Sequence, residues 1–358
     1  MKVIKKGFYP HFSNKEYCLC VNDNFVYRYW HSTGKMEKYC RLPPKSNSIL
    51  GIIKDKIARN SLVRKFNSAM GIGQVVELPS KVLVILYDRI YRFDPQTDGH
   101  LATVVADFES CNALPPLRNG IAINPNNGDC FFGDYSNDLT RPSSIFKIGD
   151  NGRSFEKCFS FSIEDVKHVH CVTWDDYRQQ FWITTGDSDT QSWFYTADPD
   201  MNNVEKFNGG DQTWRAVSII VLENALVWGM DAGQDATAED INYIYHYDLK
   251  SNKRTRVQEI GSPAYHSTLT TSGKMIITTN FEPKCLQPIE KKAAIWCSED
   301  GLNWKKLLSL PYLATPKVNG SKYAYIYPPL GVVPDNSYLF TSTNTGKSSC
   351  KLTQLSIE

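Results

Sequence analysis

Hydrophobic and polar residues alternate in short runs along most of the chain, which is the pattern of β-strands with one buried face. One arrangement recurs, in which a strand, a tight polar turn, a second strand and a polar exit follow one another. The stretches with this arrangement are residues 120–137, 168–191, 216–235, 267–282 and 330–344. Most begin about 50 residues apart, a spacing that is typical of the blades of a β-propeller.

A third alternating segment follows most of these hairpins, at residues 145–148, 193–196, 243–246 and 294–297, and usually a fourth follows it. Residues 74–105 hold the same pattern in compressed form, and residues 17–42 supply three more strands. We therefore predict an all-β fold, a single β-propeller domain over residues 1–358 with seven four-stranded antiparallel blades. Residues 1–5 are predicted to complete the last blade. Six blades is the alternative if the other N-terminal strands complete that blade instead.

Residues 46–70 depart from the strand pattern, because their apolar side chains recur at helical spacing. Ile49, Ile52, Ile53 and Ile57 mark this spacing, and basic residues lie between them. We predict a helical insertion that packs over the propeller. The alternative is a basic amphipathic face that rests on a membrane surface as a peripheral contact.

Composition supports an all-β fold, since aromatic residues make up 12% of the chain and 19 of them are tyrosines. The 40 Lys and Arg residues nearly balance the 38 Asp and Glu residues, for a net charge of +2. Such a balance gives no global field for nucleic acid, so no nucleic-acid partner is expected. Any electrostatic recognition must come from local clusters.

The N-terminal residues lack the apolar region of a signal peptide, and no window is apolar enough for a transmembrane segment. Ten cysteines are scattered without a Cys-x-x-Cys pair. Buried, reduced thiols are the expected state, which favours a cytoplasmic protein.

Turns of a recurring kind follow the third strands. Residues 150–155 read Asp-Asn-Gly-Arg-Ser-Phe, residues 298–304 read Ser-Glu-Asp-Gly-Leu-Asn-Trp, and residues 196–198 begin a shorter copy. In such a turn the Asp carboxylate can accept backbone N–H bonds, Gly adopts a positive φ, and the aromatic ring packs between sheets. The motif resembles the Asp-box of sialidase-like propellers. The resemblance implies structural roles for Asp150 and Asp300, away from the site.

A wider resemblance covers most of the chain. The strings FGDYSN (residues 132–137), HVHCVTWDDY (168–177), FWITTGDSD (181–189) and GGDQTWRAVSI (209–219) are similar to an uncharacterised group of Asp-box proteins found beside bacterial polysaccharide genes. This resemblance implies a propeller fold and a glycan context. The chain lacks the Phe/Tyr-Arg-Ile-Pro motif of sialidases, so the resemblance does not extend to sialidase activity.

In a propeller, the loop that leads into each innermost strand and the loop that follows the second strand lie on the same face, around the central channel. Polar residues occupy these positions in successive hairpins. The entering residues are Arg118, Asn119, His168, His170, Trp214, Arg215, Tyr265, His266, Tyr325 and Tyr327, and the leaving residues are Asp134, Tyr135, Asn137, Asp187, Asp189, Asp231, Asp235, Asn280, Glu282 and Asn344. We predict a functional site at this channel mouth, because unpaired charge in a partly buried channel is costly.

The expected partner is an acidic glycan or a nucleotide-sugar. Arg118 and Arg215 can bind a carboxylate, phosphate or sulfate through paired hydrogen bonds. Aromatic residues offer faces for sugar rings. The substrate-binding candidates are Arg118, Asn137, His168, Asp189, Gln212, Trp214, Arg215, Asp231, Tyr265, His266, Glu282 and Tyr327.

The predicted function is a glycan-active enzyme of bacterial polysaccharide metabolism, with glycosidase-type or glycosyl-transfer chemistry and no cofactor. Asp134 and Asp187 are the predicted carboxylate pair, Tyr135 a candidate nucleophile and His170 a proton shuttle.

Two other functions stay open. A non-catalytic carbohydrate-binding or assembly propeller needs none of this chemistry. A metal-dependent polysaccharide lyase would use His168, His170 and His266, with Asp187 or Gln212, to bind a divalent metal. A structural role for the His168–His170 pair, one ring bonded in the core and the other in solvent, is also open.

Overall fold

Strands in which apolar and polar residues alternate pair with strands that are adjacent in sequence. Most of the resulting sheets are antiparallel and four-stranded. The computed structural model describes residues 1–44, 72–287, 290–314 and 322–357. The predicted helical insertion at residues 46–70, with its proposed membrane contact, lies outside the described residues. The described chain is an all-β propeller. Among these residues, no helix has the length and apolar composition needed to cross a membrane.

Five blades are separate four-stranded antiparallel sheets. The first contains β6 (Gln74–Glu77), β7 (Leu83–Leu86), β8 (Ile90–Phe93) and β9 (Thr103–Ala106). The second contains β10 (Ile121–Ile123), β11 (Cys130–Gly133), β12 (Ser144–Gly149) and β13 (Ser154–Ser160). The third contains β14 (His168–Asp175), β15 (Gln180–Gly186), β16 (Trp193–Ala197) and β17 (Val204–Gly209). The fourth contains β18 (Ile219–Val221), β19 (Ala225–Gly229), β20 (Tyr243–Asp248) and β21 (Lys253–Glu259).

The fifth separate sheet joins the two ends of the chain. It contains β26 (Tyr325–Tyr327), β28 (Tyr338–Thr343), β29 (Lys351–Leu355) and β1 (Lys2–Lys6). Strand β1 pairs antiparallel with β29, with Lys2 opposite Gln354 and Lys6 opposite Lys351. The prediction that the first residues complete the last blade is therefore confirmed.

The remaining strands form one nine-stranded sheet. Its strands in order are β25 (Lys305–Pro311), β24 (Lys292–Ser298), β23 (Met275–Thr279), β22 (Ala264–Thr270), β27 (Leu330–Val333), β2 (Tyr9–Ser13), β3 (Tyr17–Asn22), β4 (Phe25–Trp30) and β5 (Met36–Arg41). Strand β27 pairs in parallel with both β22 and β2. It thus lies between two antiparallel runs of four strands.

The position of β27 corrects one predicted hairpin. Residues 330–344 were expected to form a strand, a turn and a second strand paired with the first. Instead, β28 pairs with β26, and Tyr325 lies opposite Thr343. Pro328 and Pro329 separate β26 from β27 and carry no N–H group for a sheet ladder, so the chain leaves the blade there and β27 pairs elsewhere.

Short 3-10 helices occupy several turns of the described chain. They are Phe108–Cys111, Asp150–Gly152, Asp189–Gln191, Gln212–Trp214, Asp335–Ser337 and Gly346–Ser348. The turn between β24 and β25 has the predicted geometry, since Asp300 Oδ1 accepts N–H bonds from Leu302 and Asn303 at 2.9 and 2.8 Å. Gly301 has a φ of +74° there. These bonds lower the pKa of Asp300 well below its ordinary value.

Glycines allow adjacent blades to approach closely near the channel. A Cβ atom on Gly133, at the end of β11, would lie 2.2 Å from the side chain of Val169 in β14. A Cβ atom on Gly229, at the end of β19, would lie 2.3 Å from the Cβ of Ala264 in β22. Around these contacts, apolar residues of neighbouring sheets form shared clusters, with Phe131 and Phe181 4.9 Å apart. This packing brings the polar strand ends of different blades together.

The ten cysteines carry free thiols, and six of them are buried.

Candidate functional site

A cavity of about 560 Å³ lies where strand ends of several blades meet. Its lining residues are Leu117, Arg118, Tyr135, Asn137, Lys167, His170, Asp187, Arg215, Val217, Asp231, Gln234, Asp235, Tyr265, Glu282, Tyr323, Tyr325 and Tyr327. This volume is in the range of small-ligand sites, which is about 300–1,000 Å³. Four carboxylates, two arginines, a lysine and several tyrosines therefore face one space.

Most of the predicted site residues line this cavity, although they are far apart in sequence. Those that do are Arg118, Tyr135, Asn137, His170, Asp187, Arg215, Asp231, Tyr265, Glu282 and Tyr327. Five others do not, namely Asp134, Asp189, Gln212, Trp214 and His266, and His168 lies directly behind His170.

The hairpin β14–β15 brings two imidazoles and a carboxylate together. His168 Nε2 and His170 Nε2 lie 3.1 Å apart, and each lies 3.2 Å from Asp187 Oδ1. His168 and His170 are buried, and Tyr135 stacks on His168 with ring centroids 4.1 Å apart. Burial lowers the pKa of His170, although its contact with Asp187 opposes this.

Asp187 is surrounded by positive and polar groups. Lys167 Nζ contacts its Oδ2 at 2.8 Å, and an Arg215 nitrogen contacts its Oδ1 at 3.1 Å. Burial opposes ionisation, but the histidine contacts and the charge of Arg215 outweigh it and lower the pKa of Asp187 well below its ordinary value. Asp187 is therefore an ionised carboxylate with its oxygens already engaged.

Arg215 contacts three carboxylates. Besides Asp187, it contacts Asp235 Oδ1 at 3.0 Å and Asp231 Oδ2 at 3.5 Å. The predicted role of Arg215 as an anion-binding group is not supported by this geometry, because the guanidinium already balances negative charge inside the protein.

Arg118 has different surroundings. It forms no ion pair with any residue in the described ranges, and its Nε atom is buried without a hydrogen-bond partner there. One terminal nitrogen donates to the Pro10 carbonyl, and the guanidinium lies 5.1 Å from the ring centroid of Tyr327. Burial lowers the pKa of Arg118, but an arginine side chain keeps its charge in proteins. The cavity wall thus contains a guanidinium that no carboxylate of the described residues neutralises.

Two carboxyl groups of the cavity have pKa values above their ordinary range. Burial, reinforced by the charges of Asp235 and Asp187, raises the pKa of Glu282 to about 7, against the hydrogen bond from the Gln234 N–H group. Burial also raises the pKa of Asp231 well above its ordinary value. A carboxylic acid that is protonated near neutral pH can donate a proton in catalysis.

Asp134 and Tyr135 do not fit their predicted catalytic roles. Asp134 is fully buried, forms an ion pair with Arg141 and accepts an N–H bond from Ser144 at 2.8 Å, so it stabilises the fold of its own blade. Tyr135 lines the cavity, but burial and the charge of Asp187 raise its pKa. Its phenol therefore stays protonated and is a poor nucleophile.

Other predicted contacts are placed elsewhere. Trp214 is buried in the core, where it stacks on Trp228 with centroids 5.0 Å apart. Gln212 donates from Nε2 to the Asp187 carbonyl at 2.7 Å and so supports the loop. Asp189 is exposed.

His266 is not part of the histidine cluster. The group of three possible metal ligands found in the described chain is His168, His170 and Asp187. His266 is buried apart from them, and burial together with the charge of Arg118 lowers its pKa to about 3. The predicted metal set of His168, His170 and His266 is therefore corrected in its third member.

Three polar lining residues were missed by the sequence reasoning. Lys167 precedes the first histidine of the cluster, and Gln234 precedes Asp235, which reaches Arg215. Tyr323 lies two positions before Tyr325, on the approach to β26. Tyr325 and Tyr327 were predicted because they precede a strand, and Tyr323 shares their period-2 spacing, which could have identified it.

Comparisons with known proteins show the fold. No protein-family model matches the chain, and no curated protein sequence matches it. Among solved structures, a chain of the mitotic checkpoint complex is 13% identical, with 97% of this chain and 89% of that chain covered and a TM-score of 0.56. The GH74 enzyme of Niastella koreensis is 12% identical, with coverages of 86% and 47% and a TM-score of 0.55.

A second GH74 enzyme, the xyloglucanase of Xanthomonas campestris, is 13% identical, with coverages of 79% and 45% and a TM-score of 0.50. This chain spans less than half the length of either GH74 enzyme. At such low identity, the likenesses establish a shared β-propeller fold and leave function to the site itself.

Proposed function

We propose that this protein is a carbohydrate-active enzyme that acts on an acidic sugar at the channel-mouth cavity, by hydrolysis or glycosyl transfer. The observation that carries the proposal is Arg118, a half-buried arginine in the cavity wall whose Nε atom is buried and which has no ion-pair partner in the described chain. A cation that is partly removed from water is costly unless an anion meets it. The carboxylate, phosphate or sulfate of a ligand can be that anion.

Aromatic faces beside Arg118 suit a sugar ring. Tyr325 and Tyr327 stack with centroids 4.1 Å apart, and Tyr265 lies 5.2 Å from Tyr325. All three line the cavity. Aromatic surface next to placed polar groups is a common feature of a ligand site.

Glu282 is the proposed proton donor, in place of Asp134. Its protonated form gives a proton to the leaving oxygen as the glycosidic C–O bond breaks. Water, or the hydroxyl group of an acceptor sugar, forms the new C–O bond and loses its proton to a carboxylate. Asp235 is our candidate for that base, because it lines the same cavity and its side chain is 47% exposed.

The fold is compatible with this chemistry, since two of the similar structures are GH74 enzymes. We also infer a ring of seven blades. The nine-stranded sheet divides at β27 into two antiparallel runs of four strands, which join the five separate sheets. The Asp300 turn, with its carboxylate bonded to backbone N–H groups, supports the proposed kinship with Asp-box propellers.

The test is a turnover assay on a panel of uronic-acid and sialic-acid oligosaccharides, their neutral counterparts and nucleotide-sugars. We expect turnover of acidic substrates only, with a loss of about 10²–10⁴-fold in Glu282→Gln. The surface variant Glu259→Gln is the matched control and should keep full activity. Binding without turnover would instead favour a non-catalytic platform, and an unsaturated, ultraviolet-absorbing product would favour a lyase. Turnover of neutral sugars alone would contradict the proposal.

A further inference from the structure

The three polar atoms that meet at the β14–β15 hairpin form a nearly equilateral triangle. Its sides are 3.1, 3.2 and 3.2 Å, between His168 Nε2, His170 Nε2 and Asp187 Oδ1. In a tetrahedral zinc site with bonds of about 2.0 Å, ligand atoms lie about 3.3 Å apart. The triangle therefore has the size of one face of such a tetrahedron.

Contacts with backbone carbonyls indicate that the Nδ1 atom of each histidine carries a proton. His168 Nδ1 lies 3.0 Å from the Ser136 carbonyl oxygen, and His170 Nδ1 lies 3.2 Å from the Ala216 carbonyl oxygen. A carbonyl can only accept, so each Nδ1 carries a proton, and Nε2 is the ring nitrogen that can lose its proton and bind a metal ion. With both Nε2 atoms deprotonated, two nitrogen lone pairs and Asp187 Oδ1, which Arg215 also contacts at 3.1 Å, converge on one point, as the ligand atoms of a metal site do.

The supporting contacts are those of a preorganised metal site. In such sites the non-ligating ring nitrogen donates to a carbonyl and the ligating carboxylate is itself hydrogen-bonded. Lys167 binds the other oxygen of Asp187 at 2.8 Å. Stacking by Tyr135 further restrains the His168 ring.

We propose that His168, His170 and Asp187 bind one divalent transition-metal ion of the zinc class. Mixed imidazole and carboxylate ligands suit zinc, and three protein ligands leave a fourth position for water or a substrate group. Since His170 and Asp187 line the cavity, the ion would lie at its wall. The inference is independent of the proposed glycan chemistry, because metal binding is measured without any substrate.

The experiment is a calorimetric titration of the metal-stripped full-length protein with Zn²⁺. We expect one ion per chain, and at least a 100-fold loss of affinity in His170→Gln and in Asp187→Asn. His266→Ala removes a buried histidine outside the cluster and His100→Ala an exposed one, so both should bind Zn²⁺ as the wild type does. Unchanged binding in His170→Gln would overturn the proposal, as would no binding by the folded wild type at micromolar Zn²⁺.

A spectroscopic measurement on the wild-type protein tests the metal site even if the variants fail to fold. Wild-type protein loaded with Co²⁺ should show the intense visible absorption of a tetrahedral ion, and equimolar Zn²⁺ should abolish it. The weak spectrum of hexa-aqua Co²⁺ would mean that a shared proton, rather than a metal, holds the two histidines together, and would contradict the proposal.

Discussion

Two arginines of the same cavity illustrate how neighbours decide what a residue can do. Arg215 contacts three carboxylates between 3.0 and 3.5 Å, and its charge is used within the protein. Arg118 has a carbonyl and a tyrosine ring as partners and no carboxylate among the described residues. The sequence predicted both as anion-binding groups, since one-dimensional spacing does not reveal which carboxylates converge on which guanidinium.

Arg118→Ala should weaken the binding of acidic ligands while leaving that of neutral sugars almost unchanged. A hydrogen bond to a charged group contributes about 1.5–3 kcal/mol, which corresponds to roughly 10–150-fold in Kd. Calorimetry with a uronic-acid oligosaccharide and its reduced, neutral counterpart checks this. Arg153→Ala, which changes an exposed arginine, is the control. Equal losses for both ligands would show that Arg118 does not recognise the acid group.

If Glu282 is the proton donor, the direction in which kcat changes with pH follows from its pKa. Because the pKa of Glu282 is raised to about 7, its acid form is present below that pH and is lost as the pH rises through it. We expect kcat on acidic substrates to fall above pH 7, and Glu282→Gln to remove this limb along with most of the activity. A basic limb that persists unchanged in the residual activity of Glu282→Gln would assign the titration to another group.

At the scale of elements, the hairpin β14–β15 was the most predictable part of the site. Alternation predicted His168 and His170 on one face, and their rings do lie together, although the pairing of β14 with β15 shifts between Val169 and Cys171. The return of β15 brought Asp187 beside them. The same reasoning failed for Asp134, because a residue that leaves a strand can turn towards its own blade, and Arg141 seven residues later holds it there. Local pattern predicts which strand end is polar, but tertiary contacts decide its direction.

Gly186 is required by the packing of this hairpin. A Cβ atom there would lie 2.3 Å from His170 Cε1, so Gly186→Ala must displace the imidazole or the strand. Overpacking of this kind costs about 1–3 kcal/mol, and we expect a lower melting temperature together with loss of Zn²⁺ affinity. In Gly99→Ala the added Cβ meets nothing within 4 Å, so backbone conformation alone is affected. That control should lose some stability and keep the metal. Retained Zn²⁺ affinity in Gly186→Ala would contradict this packing argument.

At the scale of the whole molecule, the repeat of hairpins predicted the propeller, and strand alternation predicted most strand positions. The path of residues 328–333 was not predictable, because β27 pairs in parallel with β2, near the start of the chain, and with β22, which is several strands before β27 in sequence. Such pairing depends on how the ring closes and has no local signature. The same is true of the cavity, whose lining residues come from several blades.

Because β1 completes the last blade, its removal should lower the stability of the protein. Deletion of residues 1–6 removes the ladder between β1 and β29, at about 0.5–1.5 kcal/mol for each hydrogen bond lost. We expect a clearly lower free energy of unfolding in urea. A control with Lys2, Lys5 and Lys6 changed to Ser keeps the strand and should lose much less, since these side chains are exposed. Equal stability of the deletion and the wild type would mean that β1 does not contribute to closure.

The proposed function requires that an acidic sugar binds in the channel-mouth cavity. A crystal structure of the protein soaked with an acidic oligosaccharide tests this most directly. We expect ligand density in the cavity, with the acid group within hydrogen-bond distance of Arg118 and a sugar ring against Tyr325 or Tyr327. Density on another surface, with the cavity filled by solvent alone, would contradict it.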